Sequence, residues 1–168
     1  MMAIPGRLLV ELWIAGGIVV CDQATKALIR SRFELHETMA VIPGFFDLAR
    51  VHNYGAAFGL MNTIDFPFKT ALLALVAAIA LTSLALYGAT LPAHQWLARM
   101  GLALIVGGAA GNLIDRLVSG FVLDFVDLYW RGWHFWAFNV ADAAITVGVA
   151  LVILDLLGIG RRRVSRAV

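Results

Sequence analysis

The sequence predicts an all-α integral membrane protein, with four transmembrane helices and a small extracytoplasmic segment that contains β-structure. Three observations carry that reading. Of 168 residues, 61% are hydrophobic and only 14% charged, with a mean hydropathy of +0.86, which is the composition of a polytopic membrane protein rather than a soluble domain. Four segments, about 8–29, 66–88, 96–114 and 135–159, approach the roughly 20 apolar residues that a spanning helix needs. Two connections, 30–65 and 117–136, are far longer than the 90–99 loop yet remain apolar and aromatic. Chains of that kind fold on the membrane surface. The whole of 1–168 is expected to form one domain.

The first segment imitates a secretory signal, with Arg7, an apolar stretch and Cys21, but Ile18 and Val20 are too large for a cleavage site and Glu11 interrupts the stretch. It is expected to be a retained helix. In the connection that follows, Pro43 and Gly44 signal a turn, and Phe45 to Val51 alternate loosely, which predicts a short strand or small sheet. The third segment repeats small residues every four positions at Ala103, Gly107 and Gly111, a pattern that lets helix backbones approach closely and could also clear space for a ligand. Tyr129, Trp130, Trp133 and Trp136 read as an interfacial aromatic belt ahead of the fourth segment.

Arg161, Arg162, Arg163 and Arg166 follow the last segment and predict a cytoplasmic C-terminus. Four spans then place both termini on the cytoplasmic side. Arg30, Arg32, Arg50, Arg116 and Arg131 fall opposite, in longer connections that weigh less under this rule. No internal repeat suggests a duplicated transporter.

The formal charge of +2 is too small to argue for nucleic acid, and a lone cysteine excludes an internal disulfide. His36, His52, His94 and His134 lack the spacing of a metal site, so no metal and no cofactor is expected. Chemistry therefore falls to carboxylates, amides and hydroxyls.

Asp142 lies in the apolar run 138–157 and Asp124 in 121–128. A carboxylate at membrane depth costs about 2.5 to 3.5 kcal/mol, so it persists mainly where it faces protein and performs a task. Asn139 and Asp142 share a helical face, and Asp142 is expected a turn inside the helix rather than in a capping position. Asp127 competes with Asp124, and composition leaves that choice open. Asn112 and Asp115 share another face, beside Arg116, where a structural Asp–Arg pair is the plain alternative. Asp22 and Lys26, spaced i, i+4, suit a membrane-edge ion pair. Asn53 and Gly55 lie in an ordinary-looking loop. Two aspartates sharing one proton would suit peptidase chemistry with water as nucleophile, whereas carboxylates in spans equally suit a small proton-coupled carrier or channel subunit.

The ordered set DQATK from Asp22 to Lys26, NYGAAF from Asn53, GGAAGNLIDR from Gly107 to Arg116, VLDF from Val122 and FNVAD from Phe138 to Asp142 closely resembles the bacterial lipoprotein signal peptidase family, also called type II signal peptidase. The resemblance implies an intramembrane aspartic endopeptidase of the bacterial inner membrane. Such an enzyme cuts prolipoproteins just before a cysteine that carries diacylglycerol. By motif position the catalytic dyad falls on Asp124 and Asp142. Substrate-binding or dyad-supporting roles fall on Asp22, Lys26, Asn53, Gly55, Asn112, Asp115, Arg116 and Asn139, with Arg116 the residue to bond a substrate carbonyl. Cyclic peptide inhibitors of the globomycin type are implied as ligands. The active site would face the outer leaflet, the lipid-bearing substrate would enter sideways from the bilayer, and the outer segments would close over it as a lid.

Overall fold

The computed structural model describes residues 6–55, 61, 64 and 66–159. The order of elements is α1 (Gly6–Arg32), β1 (Thr38–Ile42), β2 (Phe46–Asn53), α2 (Lys69–Thr90), α3 (Trp96–Ser119), β3 (Val122–Trp130), β4 (Trp133–His134) and α4 (Val140–Leu156). The terminal arginines, Arg161 to Arg163 and Arg166, and residues 56–58 of the NYGAAF loop lie outside the described residues.

Among the described residues, four helices carry one small antiparallel sheet of order β1-β2-β3-β4. Three of the helices, α1 from Leu8, α2 and α3, are long and apolar enough to cross a membrane. The fourth differs from expectation: α4 has 17 residues and starts only at Val140. The reason is the sheet. Phe138 bonds to β3, its carbonyl accepting the N–H groups of Phe125 and Val126 while its own N–H donates to the Val126 carbonyl. The aromatic residues of 135–138 are apolar enough to read as span, yet they serve as sheet edge. At the other boundary α3 runs past residue 114 to Ser119, ending at Gly120, whose φ of 81° forms the left-handed cap. Asn112, Asp115 and Arg116 are thereby helical residues.

The strand near 45–51 is present as β2, paired with β1. The sequence reading missed β3 because it lacks alternation. Both its faces are covered: Leu123 and Phe125 pack with Ile29 of α1, while Val122 and Asp124 are buried on the other side. Strands covered on both faces lose the period-two signal.

Helix α3 is the hub. Over its most apolar window it is 56% buried, against 6% for α1 and α2. Its small residues explain why. A Cβ built on Gly107 would lie 2.7 Å from the Ala15 carbonyl oxygen of α1, and one on Gly101 would lie 2.5 Å from the Gly148 carbonyl oxygen of α4. The repeat is therefore used for helix packing on two sides, and Gly107 and Gly111 do not clear space for a ligand. Overpacking such a contact forces backbone shifts of about 1 to 3 kcal/mol. Gly101→Ala should accordingly lower the thermal unfolding temperature in detergent, and an unchanged melting curve would show that the α3–α4 contact has slack.

Candidate active site

The turn at Gly120 brings the chain back along α3, so that β3 presents Asp124 beside the start of α4, where Asp142 sits. Asp124 is 3% exposed. Asn53, at the end of β2, donates from Nδ2 to Asp124 Oδ2 at 3.1 Å. Asn139 donates from Nδ2 to Asp124 Oδ1 at 2.7 Å. Asn112 on α3 donates to Asp142 Oδ1 at 2.8 Å. The Asn139 N–H donates to Asp142 Oδ2 at 3.3 Å. Both carboxylates are thus held by amides. The Asp124 carboxyl is pushed up to about 7, first by burial and then by the negative charge of Asp142, against the pull of Asn53 and Asn139.

Asp142 does take a capping position, contrary to the sequence reading. Asn139 is the N-cap of α4, its side chain accepts from the Asp142 N–H, and Asp142 closes a capping box with the Asn139 N–H. The helix starts later than the apolar run, which moves Asp142 into its first turn.

Asp127 lies apart from this pair. Its carboxylate meets His134 Nδ1 at 3.0 Å in an exposed position, and β3 bulges between the two aspartates, where the N–H groups of Phe125 and Val126 both go to the Phe138 carbonyl. Tyr129 belongs to the same outer patch, donating to Asp47 at 3.1 Å, and so does more than line an aromatic belt.

The Asp22–Lys26 pair is wholly buried rather than at a membrane edge. Lys26 Nζ lies 2.8 Å from Asp22 Oδ2, 2.9 Å from Asp115 Oδ2 and 3.0 Å from Asn112 Oδ1. Asp115 also pairs with Arg30 at 2.9 Å, and not with Arg116. Asp22 Oδ1 accepts the Ala141 N–H at 3.0 Å, which ties α1 to α4. Arg116 turns the other way, donating to the Gly55 carbonyl at 3.1 Å. Every residue expected at the site is brought into this one neighbourhood. Two contributors were missed. Gln23 donates to Asp22, to Asp115 and to the Gly111 carbonyl. Arg30 had been counted only as a loop charge, although its spacing of four from Lys26 put it on the same face.

A cavity of about 630 Å³ opens over the two aspartates, lined in addition by Arg116, Ala77 of α2, Ala109 of α3 and Val147 of α4. Helices α2 and α4 each pack on α3 rather than extensively on one another, so the cavity lies in the gap between them. Trp136, read as belt, lines it too.

The sequence profile of the family described as signal peptidase (SPase) II matches residues 14–158. The chain is 44% identical over 144 residues to a lipoprotein signal peptidase of Symbiobacterium thermophilum, covering 86% of this chain and 91% of that one. It is 45% identical over 147 residues to one of Geobacter sulfurreducens, covering 88% and 91%. A bacterial membrane enzyme solved by the in meso method at 2.3 Å superposes with a TM-score of 0.80 at 30% identity, over 95% of this chain and 94% of that one. These matches disfavour a carrier or channel subunit. With apolar helices, two aspartates on the wall of one cavity and a family profile covering most of its length, the chain belongs to the signal peptidase II family and is a membrane-embedded signal peptidase of the aspartic type.

Proposed function

We propose that Asp124 and Asp142 are the catalytic dyad and that the substrate is a prolipoprotein whose cysteine carries diacylglycerol. The observation that carries this is the placing of both carboxylates, one from a strand and one from a helix start, on the wall of one cavity between α2 and α4. One aspartate, ionised, takes a proton from water as that water attacks the scissile carbonyl, and the other, protonated, donates to the carbonyl oxygen. Collapse of the intermediate passes a proton to the leaving amine. Asn53, Asn112 and Asn139 hold the two carboxylates; Asp22, Lys26 and Asp115 brace the helices behind them. Arg116, which bonds the Gly55 carbonyl in the free enzyme, is the group to take a substrate carbonyl.

In this reading 1–168 is one domain and α4 is the fourth span, since 17 residues meet the lower bound of about 17 for a spanning helix. Both termini lie in the cytoplasm, the enzyme sits in the bacterial inner membrane, and the sheet and dyad lie toward its outer face. The gap between α2 and α4 admits the substrate from the bilayer, with its acyl chains left in lipid. The outer segments form a lid, and cyclic peptides of the globomycin type occupy the same cavity. The direct test is incubation of the purified protein with a diacylglyceryl-modified prolipoprotein and mass measurement of the products. Two peptides split before the modified cysteine are expected, and an intact precursor would refute the assignment.

A pH dependence follows. Asp124, with its carboxyl raised to about 7, is protonated below that pH and ionised above it, so the shared proton is lost as pH rises. The turnover rate should therefore fall on the alkaline side of about 7, checked by a pH–rate profile between about pH 6 and 9. A flat profile would place the proton elsewhere.

A further inference from the structure

We infer that Lys26 is a positioning residue that fixes which way round the Asn112 carboxamide sits, so that its N–H, and not its oxygen, faces Asp142. This deepens the dyad reading and rests on it. Lys26 is fully buried, and its ammonium has three N–H groups and no lone pair. Each N–H has one acceptor at hydrogen-bonding distance: Asp22 Oδ2 at 2.8 Å, Asp115 Oδ2 at 2.9 Å and Asn112 Oδ1 at 3.0 Å. Two of those acceptors are carboxylates, and partly exposed Arg30 on Asp115 balances the second of them. The third is the only amide.

On its far side Asn112 meets Asp142 Oδ1 at 2.8 Å. Turning the amide over would set an NH₂ against an ammonium and a carbonyl oxygen against a carboxylate, losing both bonds at once. A second donor enforces the same choice, because Asn139 Nδ2 also points at Asn112 Oδ1, at 3.2 Å. Asn139 itself is oriented independently, since its oxygen is taken by the Asp142 N–H. A line of donation therefore runs from the buried ammonium of α1 through one amide of α3 to the dyad member on α4. Lys26 touches neither aspartate of the dyad, nor does it line the cavity.

The test is a double-mutant cycle. Lys26→Met alone would leave Asp22 and Asp115 facing each other, so the cycle is built on Asp22→Asn, which keeps the charge balanced when the ammonium is removed. On that parent, Lys26→Met, Asn112→Ala and the two together are compared for kcat and KM on a diacylglyceryl-modified prolipoprotein. Lys26→Met should lower kcat about 30-fold with KM nearly unchanged, and should cost almost nothing further once Asn112 is alanine, because residues acting through one another are not additive. Equal losses in both backgrounds, or a loss confined to folded yield, would overturn the inference.

Asn112→Asp in otherwise unaltered enzyme is the variant that needs no change at Lys26. It preserves an acceptor for Lys26 and removes the amide donor to Asp142, so, per folded enzyme, it should lose cleavage as fully as Asn112→Ala. An active Asn112→Asp enzyme would also overturn the inference. Asp142→Asn is assayed alongside. If it cleaves normally, the dyad reading falls and this inference with it, whereas an additive cycle beside an inactive Asp142→Asn removes this inference alone.

Discussion

Asp124→Asn and Asp142→Asn should each reduce cleavage by about 10³-fold or more, while Asp127→Asn leaves most of the activity. The size of the effect follows from the division of labour in a proton-sharing pair, where general acid and general base each contribute about 10² to 10⁴-fold. An asparagine occupies the same space and keeps a hydrogen-bonding oxygen, yet it can neither give up nor take a proton. The two losses should not add in the double variant, because the second member has nothing left to do once the first is disabled. Asp127 does not line the cavity and meets exposed His134, so its loss removes one surface contact of about 1 kcal/mol or less. The measurement is initial rate of product formation by mass spectrometry, normalised to folded enzyme. A dead Asp127→Asn enzyme beside an active Asp124→Asn one would reverse the roles of the two residues.

The second large effect concerns the substrate. A precursor without its lipid should be cut about 10²-fold more slowly than the same sequence with it, the scale on which a small misplacement of the scissile bond acts. The cavity lies in the gap between α2 and α4, with Val147 of α4 among its lining and half exposed. An acyl chain left in the bilayer beside that gap would fix how far the peptide slides in. Equal rates for the two precursors under identical detergent conditions would show that the peptide alone sets the register.

How much of this was legible differs by element. The helices were, because 20-odd apolar residues in a row have few other uses. The fourth was legible except at its start, since Phe135 to Phe138 are as greasy as a span but hydrogen-bond to β3. Strand β3 was not legible at all, being covered on both faces. For the site, spacing alone could pair Asp22 with Lys26 and Asn139 with Asp142, and helix periodicity set Asn112 beside Asp115. Nothing in the spacing could join Asp124 to Asp142, because their meeting depends on a left-handed glycine at 120 and a strand that runs back to the start of α4. The choice between Asp124 and Asp127 also turned on a strand that was not foreseen. The small-residue run serves packing at Gly107 and Gly111, which meet α1, and of its members Ala109 is the one that lines the cavity.

The order in which the chain is made gives the site a further property. Synthesis proceeds from the N-terminus, so α1, β2, α3 and β3, with their asparagines and Asp124, all exist before α4 has emerged. Asp142 arrives last, and the Ala141 N–H that docks α4 onto Asp22 arrives one residue ahead of it. If the proposed dyad is the catalytic pair, the partial protein until then holds Asp124 without its partner. On that assignment, a hydrolase made in a membrane crowded with half-translocated chains would be kept silent by its own topology until its last helix docks.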